Sequence, residues 1–174
     1  MEITTIEPFL DYYEKVRSRT KRVISLVPDE SFDRSPVPGK FTFADLVRHL
    51  AAIERFMYAE NVRGYPSRYE GCGKELADGR EEVMRFFDTC HEESLQIFRR
   101  LTPAELRSKC TTPAGSPITV WKWLRLMIEH EIHHRGQIYT YLGLMGVETK
   151  PLYGLTSEQV AAQAAPSRKR NDSR

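Results

Sequence analysis

Apolar residues recur at steps of three and four along four stretches of the chain, and proline- or glycine-bearing linkers separate them. The first stretch, about residues 3 to 27, aligns Ile3, Ile6, Phe9, Leu10, Tyr13, Val16, Thr20, Val23 and Val27 and stops at Pro28. The second opens at "FTFADL", where Thr42 suits an N-cap, Asp45 completes a capping box and Phe41 is placed to staple onto Leu46; it extends to about Gly64. The third, about 79 to 101, stripes Val83, Phe87, Cys90, Ser94, Phe98 and Leu101 and ends before Pro103. The fourth begins near "SPIT", with Pro117 in a first helical turn and Ser116 or Thr119 as cap, and ends at Gly143 or Gly146.

No alternating strand pattern competes, so the spacing predicts an all-α chain whose four helices lie side by side as a four-helix bundle. Linkers 28–41, 65–78 and 102–116 are long enough for crossover connections as well as hairpins, and the spacing alone does not choose between them. The bundle is expected over residues 1–155. Beyond it, "GLTSEQVAAQAA" predicts one short helix capped by Thr156 or Ser157, followed by a disordered basic tail to residue 174.

Composition narrows the class. Apolar residues at 40% and charged residues at 29% describe an ordinary globular domain. Four basic side chains against Asp172 in the last ten residues account for the formal charge of +2, so the body offers no basic excess for a specific nucleic-acid partner. Cys72, Cys90 and Cys110 are odd in number and form no CxxC pair, which argues against a disulfide framework and a thiolate zinc site. No apolar run approaches the roughly 20 residues of a membrane helix and no secretion signal is visible, so a cytoplasmic location without membrane contact is expected.

The chemistry concentrates in "IEHEIHHRGQIYTY", residues 128–141, which holds three of the five histidines. On a helical wheel His130 and His134 share a face, within about 60° of Trp123, Leu126, Met127, Gln137 and Tyr141, and read as the middle of a core-facing stripe. His49 reads the same way on the second helix, among Leu46, Ile53, Phe56 and Glu60. Two imidazoles one turn apart can reach one cation, and His49 supplies the third ligand such an ion needs. Each histidine alone has an ordinary reading, as a core residue bonded to a neighbour; three aimed inward favour a shared metal. His91 reads either as a fourth ligand or pocket residue or, more simply, as a hydrogen-bonded histidine near its own helix core, and His133 as a boundary residue.

"VRHLAAIERF" and "HEIHHRGQIYTYLGLMG" resemble the DinB-like (YfiT-like) family of metal-binding four-helix bundles, with "HxxxHRGQ" the specific part. That resemblance implies a divalent ion, zinc or nickel, held by His49, His130 and His134, a bundle with a crossover connection, and a homodimer. Some members transfer low-molecular-weight thiols such as bacillithiol or isomerise maleylpyruvate with mycothiol.

Three neutral histidines and no thiolate leave a coordination position open, as in catalytic zinc sites. The expected function is therefore metal-dependent activation of a thiol or of water, in a thiol S-transferase or a hydrolase acting on a small molecule. Glu60 and Gln137 are the candidates for proton handling, and Trp123 and Tyr141 for shaping a pocket. Two other readings stand beside it: a non-catalytic metal- or ligand-binding stress-response protein, and a bundle with an inert histidine core. Exposed aromatics such as Tyr12, Phe32 and Tyr69 are expected to mark an apolar surface for a dimer.

Overall fold

The computed structural model describes residues 2–168, with side chains as far as Ala164. Four long helices form an all-α bundle: α1 (Ile6–Ile24), α2 (Phe43–Ile53, continuing through a π turn at Glu54–Tyr58 into Ala59–Val62), α3 (Arg80–Phe98) and, further on, α5 (Val120–Leu144). Short elements fill the third linker: α4 (Pro103–Arg107) and the strands β1 (Lys109–Thr111) and β2 (Pro117–Thr119). A last helix, α6, spans Ser157–Arg168.

Local chemistry sets the helix ends. Thr42 Oγ1 accepts from the Asp45 amide at 3.0 Å and Asp45 accepts from the Thr42 amide at 2.9 Å, so both orphan donors are satisfied at the start of α2. Arg80 closes the other end of α1, donating to the carbonyls of Val27 at 2.7 Å and Ile24 at 3.2 Å. Thr156 accepts from the Gln159 amide and its own amide donates to Gln159, which caps α6. The basic tail from Lys169 onward lies outside the described residues.

Side-chain pairings give the topology. α1 packs on α5 and α3, and α2 on the same two helices, so α1 and α2 face each other across a diagonal. Lys21 pairs with Asp88 and Glu14 approaches His91, while Arg80 sits at the end of α1; α1 and α3 are therefore antiparallel. Glu54 meets His91, and Val62 and Arg63 share a hollow with Ile97 and Arg100, so α2 and α3 run parallel. The linker 63–79 must then carry the chain back along the bundle, a crossover connection. Arg48 holds that linker down: it is 1% exposed and donates to the carbonyls of Cys72 at 2.8 Å and Ala77 at 3.0 Å and to Asp45 at 2.6 Å.

The strands move the start of the fourth helix from the expected "SPIT" to Val120. β1 and β2 form an antiparallel hairpin with Cys110 opposite Ile118 and Thr111 opposite Pro117. Three-residue strands are too short to show alternation in sequence. Pro117 is thus a strand residue and not a helical one, at the start of its strand where its missing N–H does no harm. Thr119 takes the N-cap position of α5.

Two apolar clusters fill the two ends of the bundle, one around Tyr13, Val16, Leu95, Phe98 and Leu124, the other around Ile24, Phe43, Leu46, Phe87 and Ile138. Buried charge lies between them. Arg17, 2% exposed, pairs with Glu54 and, at 3.1 Å, with Glu131; it donates to the Tyr13 hydroxyl at 2.8 Å and rests on the Phe87 ring at 4.0 Å. His91 Nδ1 donates to Glu54 at 2.9 Å. A hydrophobic pattern cannot register these residues, because each is buried only by virtue of its partners.

Candidate metal centre

At the level of that polar layer, α2 and α5 bring His49, His130 and His134 together. Nε2 of His130 lies 3.1 Å from Nε2 of His49 and 3.1 Å from Nε2 of His134, and the three ligand atoms all fall within 4.8 Å of one another. The helices place them at the margin of the core and not in its middle, as the wheel expects. The buried side of α5 runs through Met127, Glu131 and Ile138, and that of α2 through Phe43, Leu46 and Leu50; the histidines are half-buried at facing edges, and Leu126 is 39% exposed. The buried apolar residues Val120, Leu124, Met127, Ile128, Ile138 and Leu142 lie about 60° to 160° round the helix from His130, and Glu131 and Arg135, kept inside by their partners, lie among them. The outcome is a triad with one side toward solvent.

The outer nitrogens of His134 and His49 have partners. Nδ1 of His134 lies 3.0 Å from the carbonyl oxygen of Gln137, which can only accept, so Nδ1 carries the proton and Nε2 a lone pair. Gln137 is oriented in turn by donating to the Tyr141 hydroxyl at 3.0 Å. Nδ1 of His49 meets the Tyr69 hydroxyl at 2.7 Å, and Tyr69 also engages the Cys72 side chain. Burial, aided by Cys72, pushes the Tyr69 hydroxyl up to about 12, so it stays neutral at pH 7. Burial first, and the other imidazoles second, lower His49 to about 4 and His130 to about 3; burial also lowers His134. All three are uncharged at neutral pH, the form in which imidazole binds a cation.

Those protonation states leave a conflict. His130 Nε2 faces a ring nitrogen at 3.1 Å on each side, and that of His134 presents a lone pair. A proton on His130 Nε2 can point at only one of these two nitrogens, and without it His130 Nε2 and His134 Nε2 oppose each other as two lone pairs. A cation about 2.0 to 2.1 Å from each nitrogen serves both, since two nitrogens 3.1 Å apart then subtend about 100° at the ion, close to a tetrahedral angle.

The remaining expected residues are placed as follows. Trp123 and Tyr141 are buried, Trp123 against Tyr58 at 4.6 Å between ring centroids. Phe41 is 43% exposed with its ring 5.9 Å from that of His49. His133 is exposed, its ring 5.0 Å from His134. His91 is bonded to Glu54 and is not part of the converging group. Phe32 is 1% exposed, under Arg80, and contributes no surface; Tyr69 belongs to the triad's surroundings.

Glu60 is turned off the His49 face. The π turn at Glu54–Tyr58 inserts one residue into the helix, and one residue is about 100° of rotation. Glu60 is buried among Arg55, Arg68 at 2.8 Å and Arg63 at 3.6 Å; burial pushes its carboxyl up, but the two hydrogen-bonded arginines outweigh it and hold it below the usual range. The same insertion rotates Tyr58 inward, where its ring lies 6.2 Å from that of His130. Tyr58 and Tyr69 are the neighbours that sequence reasoning misses: one depends on the π turn, the other sits in a linker without periodicity.

Comparison with known proteins shows the family and the fold. The family model described as the DinB superfamily matches residues 12–138. The chain belongs to the DinB superfamily. A curated relative of this DinB-superfamily chain, the uncharacterized protein YjoA of Bacillus subtilis (strain 168), is 25% identical over 141 residues, covering 79% of this chain and 88% of YjoA. The crystal structure of YjoA, a DinB-like protein, aligns with a TM-score of 0.67 at 18% identity, covering 86% of this chain and all of that one. A DinB-like protein from Bacillus cereus ATCC 10987 aligns at 0.65 with 19% identity, and a DinB-family member from Exiguobacterium sibiricum 255-15 at 0.61 with 24%; each covers 85% of this chain and 97% of its own. These likenesses carry the fold. Among the described residues no helix is long and apolar enough to cross a membrane.

Proposed function

We propose that this DinB-superfamily protein binds a divalent ion, zinc or nickel, at His49, His130 and His134, and uses it to activate a thiol or water against a small-molecule substrate. The reading rests on one observation above all: three neutral imidazoles present Nε2 to a common point with more lone pairs than protons can satisfy. The outer contacts to Tyr69 and Gln137 support it, because such partners fix the tautomer and orientation that a ligand needs.

An ion held by three nitrogens keeps a position for an exogenous ligand and lowers the pKa of a water or thiol placed there toward neutrality. The chain's own residues supply the surroundings. Tyr69 and Gln137 hold the imidazoles, and Tyr58, backed by Trp123, and Phe41 wall the site with aromatic surface. Cys72 is kept a protonated thiol by burial, which raises it. Glu60, engaged by its arginines, is left out of proton transfer. We further propose a cytoplasmic homodimer that uses exposed apolar residues such as Tyr12 and Leu126, to be checked by light scattering after gel filtration.

The test is metal content. Untagged protein offered zinc, nickel and manganese is expected to retain close to one ion per chain by mass spectrometry, and His49→Ala and His130→Ala to retain almost none. Less than about a tenth of an ion per wild-type chain removes the proposal. A panel of thiols with electrophilic acceptors, and of esters and amides, then separates catalysis from passive binding: activity that survives His130→Ala does not come from the metal.

A further inference from the structure

A cleft of about 560 Å³ lies beside the triad, between the segment following α2 and the turn of the β1–β2 hairpin. Its walls are Tyr65, Pro66, Thr112 and Pro113, and its size matches small-molecule sites. Gly64 and Gly115, with φ of 81° and 80°, make the two turns that let the walls face each other. Tyr69 also lines it, and the same Tyr69 hydroxyl contacts His49. Asn61 forms its base and stands one helical turn after Tyr58, the neighbour of His130, so cleft and triad share a border of two tyrosines.

Asn61 carries the decisive detail. It is 1% exposed; its Nδ2 donates to the Tyr65 carbonyl at 3.0 Å, and its Oδ1 is buried without a hydrogen-bond partner. A buried amide oxygen without a donor is costly, and a ligand that brings one is recognised by the difference. No charged residue lines the cleft. Arg63 and Arg68, next to cleft residues in the chain, pair with Glu60, and Arg63 also stacks on Tyr65 at 4.7 Å. Among the described residues, those lining the cleft offer an anion no cationic partner.

We propose that this cleft is the substrate subsite of the metal centre, and that it takes a neutral molecule with an amide, hydroxyl or amine donor for Asn61 and a flat body for Tyr65 and Tyr69. The assignment of a substrate rests on the metal reading above; the binding itself does not, because none of the cleft residues is a proposed ligand.

The probe is N-acetylphenylalanine amide, compared with anionic N-acetylphenylalanine, titrated into the full chain and followed by amide chemical shifts. Saturable binding near 1 mM is expected, with shifts at Asn61, Tyr65 and Thr112 and about tenfold weaker binding of the acid. Tyr65→Ala, at an exposed position, is expected to weaken the probe about tenfold without affecting the fold, and Asn61→Leu to do so more strongly if it folds. In cobalt(II)-loaded protein the probe's protons should relax faster than in zinc-loaded protein. No saturation by about 10 mM, equal or tighter binding of the acid, indifference to Tyr65→Ala, or equal relaxation with the two ions each overturns the proposal. Metal content of the same samples, and probe binding to His130→Ala, report separately on the metal reading.

Discussion

The Tyr69 hydroxyl lies 2.7 Å from Nδ1 of His49, and this contact joins a linker residue to the helix that carries the proposed ligand. If it fixes the His49 tautomer, Tyr69→Phe should lower metal affinity about tenfold while leaving the far-ultraviolet circular dichroism unchanged. Competition with a chelator of known affinity measures it. Unchanged affinity would make the contact incidental.

Metal should stabilise the fold by mass action. At about one hundred times its dissociation constant an ion adds about 2.7 kcal/mol, which calorimetry reads as a higher Tm. His130→Ala is expected to lose this increment and still fold, since two apolar clusters and not the triad fill the bundle. A variant that fails to fold without metal would show the centre to be structural.

Arg17 is the charge on which two buried glutamates depend. Arg17→Met should cost about 3 to 5 kcal/mol in urea unfolding, because Glu54 and Glu131 remain buried without their cation. Adding Glu54→Gln to it should cost less than the two single effects summed, the mark of coupled partners.

Glu60 should make stability depend on pH. Its folded pKa is held below the ordinary value of 4.5 by Arg55 and Arg68 acting against burial, so its contribution is complete above that value and fades as pH falls through the folded one. The stability gap between wild type and Glu60→Gln is therefore expected to be widest near neutrality and to narrow below about pH 4. A gap constant down to pH 3 would show that the arginines hold it only by shape.

The Thr42 cap is separable from all of this. Thr42→Ala should cost about 1 kcal/mol by urea unfolding, without altering metal content. A change in metal content would show that the start of α2 also positions His49.

The sequence by itself determined the four helices, the cap at Thr42 and the three histidines, because each leaves a local mark: a stripe of period 3.6, a Thr-x-x-Asp box, an HxxxH turn. The tertiary structure decided what depends on residues distant in the chain. Packing decided which part of the broad apolar surface of α5 faces inward, leaving His130 and His134 at the core's edge, and the π turn took Glu60 off the site and put Tyr58 beside it. Tyr69 reached His49 only through a crossover linker that Arg48 pins from beneath. Polar burial and helix register are set by partners across the bundle, and no periodicity along one helix records them.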